Sequence, residues 1–152
     1  GRPAPNETAF NYVSAYTDLK NSPKFAFGHG LSYTSFNYSD LKLSKNKIND
    51  SETIEVAFNL TNSGKFEGHE VVQLYLRDKV GSVVRPIIEL KDFQKIHLNA
   101  GETKTVQFTI DKEKLAFYNE QLEWNSEAGE FDLMIGTSSS DIRLKTTFEL
   151  VK

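Results

Sequence analysis

Residues 53–62 read TIEVAFNLTN, and the spacing of their apolar side chains sets the architecture. Ile54, Val56, Phe58 and Leu60 alternate with Glu55, Ala57 and Asn59. An extended chain puts these two sets on opposite faces, so the run is a strand with one side in a core and the other in water. The same period of two recurs outward from it. VVQLYLRD (71–78) turns Val72, Leu74 and Leu76 inward after the turn-rich NSGKFEGHE. KTVQFTI (104–110) does so with Val106, Phe108 and Ile110 after NAGE, and EFDLMIG (130–136) with Phe131, Leu133 and Ile135 after SEAG. IRLKTTFEL (142–150) closes the series with Ile142, Leu144, Phe148 and Leu150. Weaker strands are expected at 37–44, 90–98 and 117–124. Seven or eight short strands parted by turn signals specify an all-β antiparallel sandwich. Only DKEKLAF (111–117) reads as helical, for a single turn, so a parallel α/β sheet is excluded.

A chain of 152 residues buries about 70% of its unfolded surface, enough for a core without staples. Cysteine is absent, which removes disulfides, thiolate metal sites and cysteine nucleophiles together. The net charge of −3, with no long run of like charges, argues against a nucleic-acid partner, whose phosphates need a basic face. No apolar run reaches the roughly 20 residues of a membrane helix, and no signal peptide is visible, so membrane insertion is not expected. The only methionine is Met134, from which the chain is expected to be a piece of a longer polypeptide.

The first 35 residues carry three of the four prolines and show neither period. They are expected to form an extended segment (1–35) ahead of a sandwich domain (36–152). Phe10, Tyr12, Tyr16, Phe25 and Phe27 make it too aromatic for a free linker, so it is expected to lie against a surface. Within it, FAFGHGLSY (25–33) offers two readings: a catalytic loop around His29, or a joint between folded units.

The chemistry-bearing residues favour the joint. Hydrolysis of a glycoside needs two carboxylates facing each other across a cleft. Glu55, Asp78, Glu102, Asp111, Glu113 and Asp132 fall at outward strand positions or in turns, where they read as solvated surface charges. His29, His69 and His97 show no metal-ligand spacing, and no G-x-S-x-G elbow or phosphate loop is present. No catalytic, cofactor-binding or metal-ligating residue is therefore assigned. Trp124, the sole tryptophan, sits near Tyr118 on an expected hairpin. It is expected to close one end of the core; the competing reading is that Trp124 and Tyr118 stack on sugar rings. Sequons at Asn6, Asn37, Asn49 and Asn59 carry meaning only in a secreted eukaryotic protein.

Taken in order, NSPKFAFGHGLSYTSFNYS (21–39), TNSGKFEGHEVVQLYLRD (61–78), RPIIELKDFQKIHLNAGETKTVQFTI (85–110) and LAFYNEQLEWNSEAGEFDLMIGTSSSDIR (115–143) resemble the C-terminal domain of glycoside hydrolase family 3 enzymes, the β-glucosidases and β-xylosidases. The likeness covers essentially the whole chain and is greatest to the bacterial periplasmic β-glucosidases. It differs from that family's FPFGYGLSYT string in carrying Ala26 and His29. The resemblance implies a fibronectin type III/immunoglobulin-like sandwich as the third domain of a larger enzyme. The aspartate nucleophile, in an S-D-W motif, and the glutamate acid/base lie in the first two domains. Neither segment occurs here, so the implied retaining hydrolysis of terminal β-D-glycosides belongs to those domains.

The expected role is thus a non-catalytic module that stabilises and orients the catalytic domains of the same polypeptide, in the periplasm or outside the cell. Phe25, Phe27, Leu31 and Tyr33 are expected to pack the interdomain seam, Gly28 and Gly30 to let the backbone pass closely, and His29 to hydrogen bond there. No cofactor is implied, the β-glucosides or oligosaccharides are bound by the parent, and a homodimer is a further expectation. The alternatives are the carbohydrate-binding module centred on Trp124 and an adhesion-type sandwich unrelated to sugars.

Overall fold

In the computed structural model, residues 22–152 are described. The part of the expected extended segment that spans 1–21, with Phe10, Tyr12 and Tyr16, lies outside them. The described residues form ten strands and one short helix. In chain order these are β1 (Phe36–Leu43), β2 (Lys47–Asn49), β3 (Ile54–Asn62), β4 (Gly68–Asp78), β5 (Glu89–Leu98), β6 (Thr103–Ile110), α1 (Lys112–Leu115), β7 (Phe117–Tyr118), β8 (Trp124–Asn125), β9 (Gly129–Ser138) and β10 (Asp141–Val151).

Two layers result. The smaller sheet has the order β1-β3-β6 and the larger β2-β10-β9-β4-β5, all antiparallel except for the β2–β10 pair. The quoted stretch is the middle strand of the smaller sheet, where Ile54, Val56, Phe58 and Leu60 are each at most 1% exposed. They face Val72, Leu74, Leu76, Phe131, Leu133 and Ile135 of the larger sheet in one continuous core. Phe131 and Phe148 stack within it at 5.3 Å between ring centroids, and Tyr38 stacks on Phe58 at 5.8 Å.

The outward face of the smaller sheet is polar and tied across strands. Thr109 donates to Glu55, Thr105 donates to Asn59, and Thr61 and Thr103 share a hydrogen bond of 2.8 Å. Cross-strand pairs of this kind suit a face that meets water. α1 is the expected single turn, capped by the Asp111 carboxylate, which accepts from the Lys114 amide.

Two expectations need correction, and one strand was not expected. Residues 117–124 do not make one strand: Phe117–Tyr118 and Trp124–Asn125 pair as a two-stranded hairpin around a turn in which Asn119 accepts from the amides of Gln121 and Glu123. A polar side chain that bonds its own backbone outcompetes the ladder there. The β2 strand, whose single buried residue is Ile48, is too short to show a period. Asp78 and Asp132 are not solvated charges; their side chains are 3% and 7% exposed. Each is buried beneath cations, Asp78 by Arg85 at 2.9 Å and Asp132 by Lys145 at 3.2 Å and Lys79 at 3.6 Å. Long cationic stems cover such a carboxylate while their heads reach solvent.

Candidate interdomain seam

β4 is the central element of the site, because its odd residues point away from the core. Gln73 and Tyr75 are buried on that outer face, at 4% and 1% exposure. The reason is the segment preceding β1, which crosses the face just above them. The carboxamide of Gln73 holds it: Nε2 donates to the Gly28 carbonyl at 3.1 Å and to the Thr137 carbonyl at 2.6 Å, while Oε1 accepts from the Tyr75 hydroxyl. A second tie is the Ser139 amide, which donates to the Phe27 carbonyl at 2.9 Å. All three side-chain hydrogen-bonding groups of Gln73 are thereby used. Burial pushes the Tyr75 hydroxyl pKa up, as expected for a phenol kept neutral.

Local chemistry explains why the segment can take this path. Residues 26–29 make a turn closed by the His29 amide donating to the Ala26 carbonyl at 3.0 Å, with Gly28 at a φ of +80°. Glycine alone takes that conformation freely, and a side chain at position 28 would also collide with the Gln73 carboxamide. Further along, Thr34 donates its hydroxyl to Asn62, a fully buried side chain whose own amide bonds the Phe66 and Leu98 carbonyls.

With its backbone fixed, the segment shows its apolar side chains outward. Phe25 and Phe27 are 64% and 65% exposed, Leu31 94% and Tyr33 99%. Val71 and Phe93, from β4 and β5, add to the same surface. Between the segment and the sheet runs a groove of about 650 Å³, lined by Phe27, Leu31, Phe93, Glu70, Asp141 and Arg143 among others.

His29 and His69 also line the groove, and His69 lies directly across from His97 with ring centroids 4.8 Å apart. The His29 ring packs on Phe25 at 5.1 Å. Among the described residues no three histidines or carboxylates gather as metal ligands would.

Glu70 carries no mark of its own in the sequence because the alternating run VVQLYLRD begins at Val71. Its side chain accepts from the buried Tyr38 hydroxyl at 2.9 Å, linking the two sheets, and is 9% exposed. Burial raises its carboxyl pKa, a tendency the Tyr38 hydrogen bond and the Arg143 charge oppose. The glutamate inside the apolar–polar alternation is the signal that was present: it occupies an inward position in the row of Val72, Leu74 and Leu76.

Trp124 lies elsewhere and does not close the core. It is 50% exposed, its Nε1 donates to Glu113 at 3.0 Å, and its ring meets Tyr118 at a 59° tilt. Phe117 and Ala116 fill the core edge in its place. The loop beside this hairpin is fixed by Arg85, which bonds Asp78 and Glu89 and lies over the Phe117 ring at 4.3 Å.

Comparisons with known proteins agree on one assignment. Residues 70–139 match the fibronectin type III-like domain family. The chain is 52% identical over 132 residues to thermostable β-glucosidase B of Acetivibrio thermocellus, covering 86% of this chain and 18% of that protein. It is 42% identical over 151 residues to the periplasmic β-glucosidase of Salmonella typhimurium, covering 99% and 20%. The crystal structure of a Listeria innocua β-glucosidase in complex with glucose superposes with a TM-score of 0.83 at 40% identity, covering 94% of this chain and 20% of that one. The chain thus spans about a fifth of the length of these relatives.

Proposed function

The chain belongs, through residues 70–139, to the fibronectin type III-like domains, in the form carried by β-glucosidases of glycoside hydrolase family 3, and from that premise we propose that it is their non-catalytic docking module. Its task is to hold the catalytic domains of the same polypeptide in their working arrangement. The periplasmic relative supports a periplasmic or extracellular setting. The parent's reaction is the hydrolysis of terminal β-D-glycosidic bonds, carried out in domains beyond this chain.

One observation carries the docking reading: four large apolar side chains stand exposed on a segment whose backbone is pinned by Gln73 and Ser139. Contiguous exposed apolar surface on a rigid support marks an interaction site, and an interface between domains needs about 600–1,500 Å². Phe25, Phe27, Leu31 and Tyr33 supply its anchors, with His29 packed on Phe25, Gly28 letting the turn sit on Gln73 and Gly30 leaving room for the partner's backbone. Nothing in the arrangement of Trp124 and Tyr118 favours sugar stacking: the rings are steeply tilted, and the indole N–H is already taken by Glu113.

The test compares Phe27→Ser with Leu31→Ser, each in this chain and in the whole polypeptide. In this chain both are expected to change stability by less than about 0.5 kcal/mol, as exposed substitutions do. In the whole polypeptide each is expected to lower the thermal midpoint and to raise amide exchange across residues 22–35. Equal midpoints for variant and wild-type whole polypeptide would sink the reading.

A further inference from the structure

We infer that the groove beneath residues 25–33 receives a cationic side chain, an arginine or lysine, from the docked remainder of the polypeptide, with Glu70 as its counter-charge. The inference rests on the docking reading above and names the chemistry of the partner. Three observations carry it. First, Glu70 is buried, at 9% exposure, and lines the groove. Second, its one hydrogen-bond donor among the described residues is the neutral Tyr38 hydroxyl, and no described lysine or arginine forms an ion pair with it. Third, the nearby Arg143, whose charge reaches Glu70, forms its ion pair with Asp141 at 2.8 Å and not with Glu70.

A buried carboxylate whose one nearby cation, Arg143, is ion-paired to Asp141 instead is a costly arrangement, by up to several kcal/mol in typical interiors, unless a partner arrives. The groove has the form such a partner needs. Phe27, Leu31 and Phe93 offer apolar lining for an aliphatic stem or a stacked guanidinium, and Glu70 contributes a carboxylate to the same lining. Asp141 adds a second carboxylate on the lining, so the entering charge meets net negative potential despite Arg143. Burial also keeps Glu70 poised, since its raised pKa falls back once a cation binds beside it. The relatives being about five times longer, most of the polypeptide that could supply the side chain lies outside this chain.

Glu70→Gln tests the inference, because the amide oxygen still accepts from Tyr38 while the charge is lost. Amide hydrogen exchange over residues 22–35 and 68–76 is followed in this chain and in the whole polypeptide, with Phe27→Ser as the docking control. Exchange in the whole polypeptide is expected to rise about 30-fold or more with Glu70→Gln, the consequence of removing one partner of a buried pair. In this chain alone it is expected not to rise. A rise in the whole polypeptide with Phe27→Ser but not with Glu70→Gln would leave docking intact and overturn the cation. An equal rise in this chain alone would make Glu70 a purely internal residue and overturn it too. Should Arg2→Gln or Lys20→Gln reproduce the Glu70→Gln effect in this chain, the cation is the chain's own and the inference fails.

Discussion

Gln73→Ala is the change that bears most directly on how the fold presents the seam. Truncation removes the acceptor of the Tyr75 hydroxyl and the donor to two carbonyls, Gly28 and Thr137. Gly28 is exposed and can turn to water, but Tyr75 is 1% exposed and Thr137 is half-buried. Two buried groups left without partners cost about 1–3 kcal/mol each, so the expected loss is about 3 kcal/mol. Urea titration followed by tryptophan fluorescence reads this in the isolated chain. With a slope of about 1.5–2 kcal/mol per molar for a domain of this size, the midpoint falls by about 1.5–2 M with the slope unchanged. Tyr75→Phe supplies the internal check. Alone it is expected to cost about 1 kcal/mol, because the Gln73 oxygen loses its donor; on the Gln73→Ala background it is expected to cost nothing or to stabilise. The segment follows the same logic, since exchange of the His29 and Ser139 amides rises once the carboxamide is gone. A Gln73→Ala chain within about 0.5 kcal/mol of wild type, or full additivity of the two substitutions, would refute the claim that this one side chain locks the segment to the sheet.

Three other outcomes are expected. Arg85→Met removes the fork that spans Asp78 and Glu89 and strands the 3%-exposed Asp78 carboxylate; a loss of about 3–5 kcal/mol is expected by thermal or urea unfolding, and Arg85→Lys recovers only part of it. Trp124→Ala costs less than about 1 kcal/mol because the ring is half exposed, and gluco-oligosaccharides at millimolar concentration leave the Trp124 fluorescence unchanged; a fall of several kcal/mol or a saturating signal contradicts this placement. Glu70 sets a pH dependence in this chain alone. Its folded pKa is raised above 4.5, so the folded state holds the proton more tightly, and the associated stability is present below 4.5 and lost as pH rises through the folded value. Glu70→Gln therefore flattens the stability curve above pH 4.5 and leaves this chain more stable than wild type at pH 7.

The sandwich was legible because its central strands alternate without interruption. Ile54 to Leu60, Val72 to Leu76 and Phe131 to Ile135 each keep the period of two, and each lands in the core. What escaped was set by partners distant in sequence. Ile48 is buried only because β10 brings Glu149 to Val151 alongside β2, a parallel pairing about a hundred residues away. Asp78 and Asp132 occupy positions that read as solvent-facing; the cations that cover them come from a loop and from neighbouring strands. Trp124 misled for a related reason: a large aromatic defaults to the interior, yet its turn is fixed by Asn119 and the core edge is already filled by Phe117. FAFGHGLSY announced a special loop through its glycines and aromatics, while the residue that holds it down, Gln73, is one polar position in an otherwise apolar run.

The two outer faces of the sandwich explain why such a domain suits the edge of a larger enzyme. On the smaller sheet the outward threonine, asparagine and glutamate side chains bond one another across strands without any neighbour. On the larger sheet the outward row is divided. Towards β4's C-terminal end, Lys79, Glu130, Asp132 and Lys145 neutralise one another and want nothing more. Towards its N-terminal end the surface is Val71, Phe93 and the pinned segment, with a buried carboxylate beside it. A lone domain gains nothing by fixing Phe27, Leu31 and Tyr33 in water. On the docking proposal, the hydrogen bonds that hold the segment meet its entropy cost before assembly, so that the apolar contacts then made add to stability more fully. On the same proposal, the direction of that polarity follows from β4, whose register places Gln73 under Gly28 and thereby selects which end of the sheet faces the rest of the polypeptide.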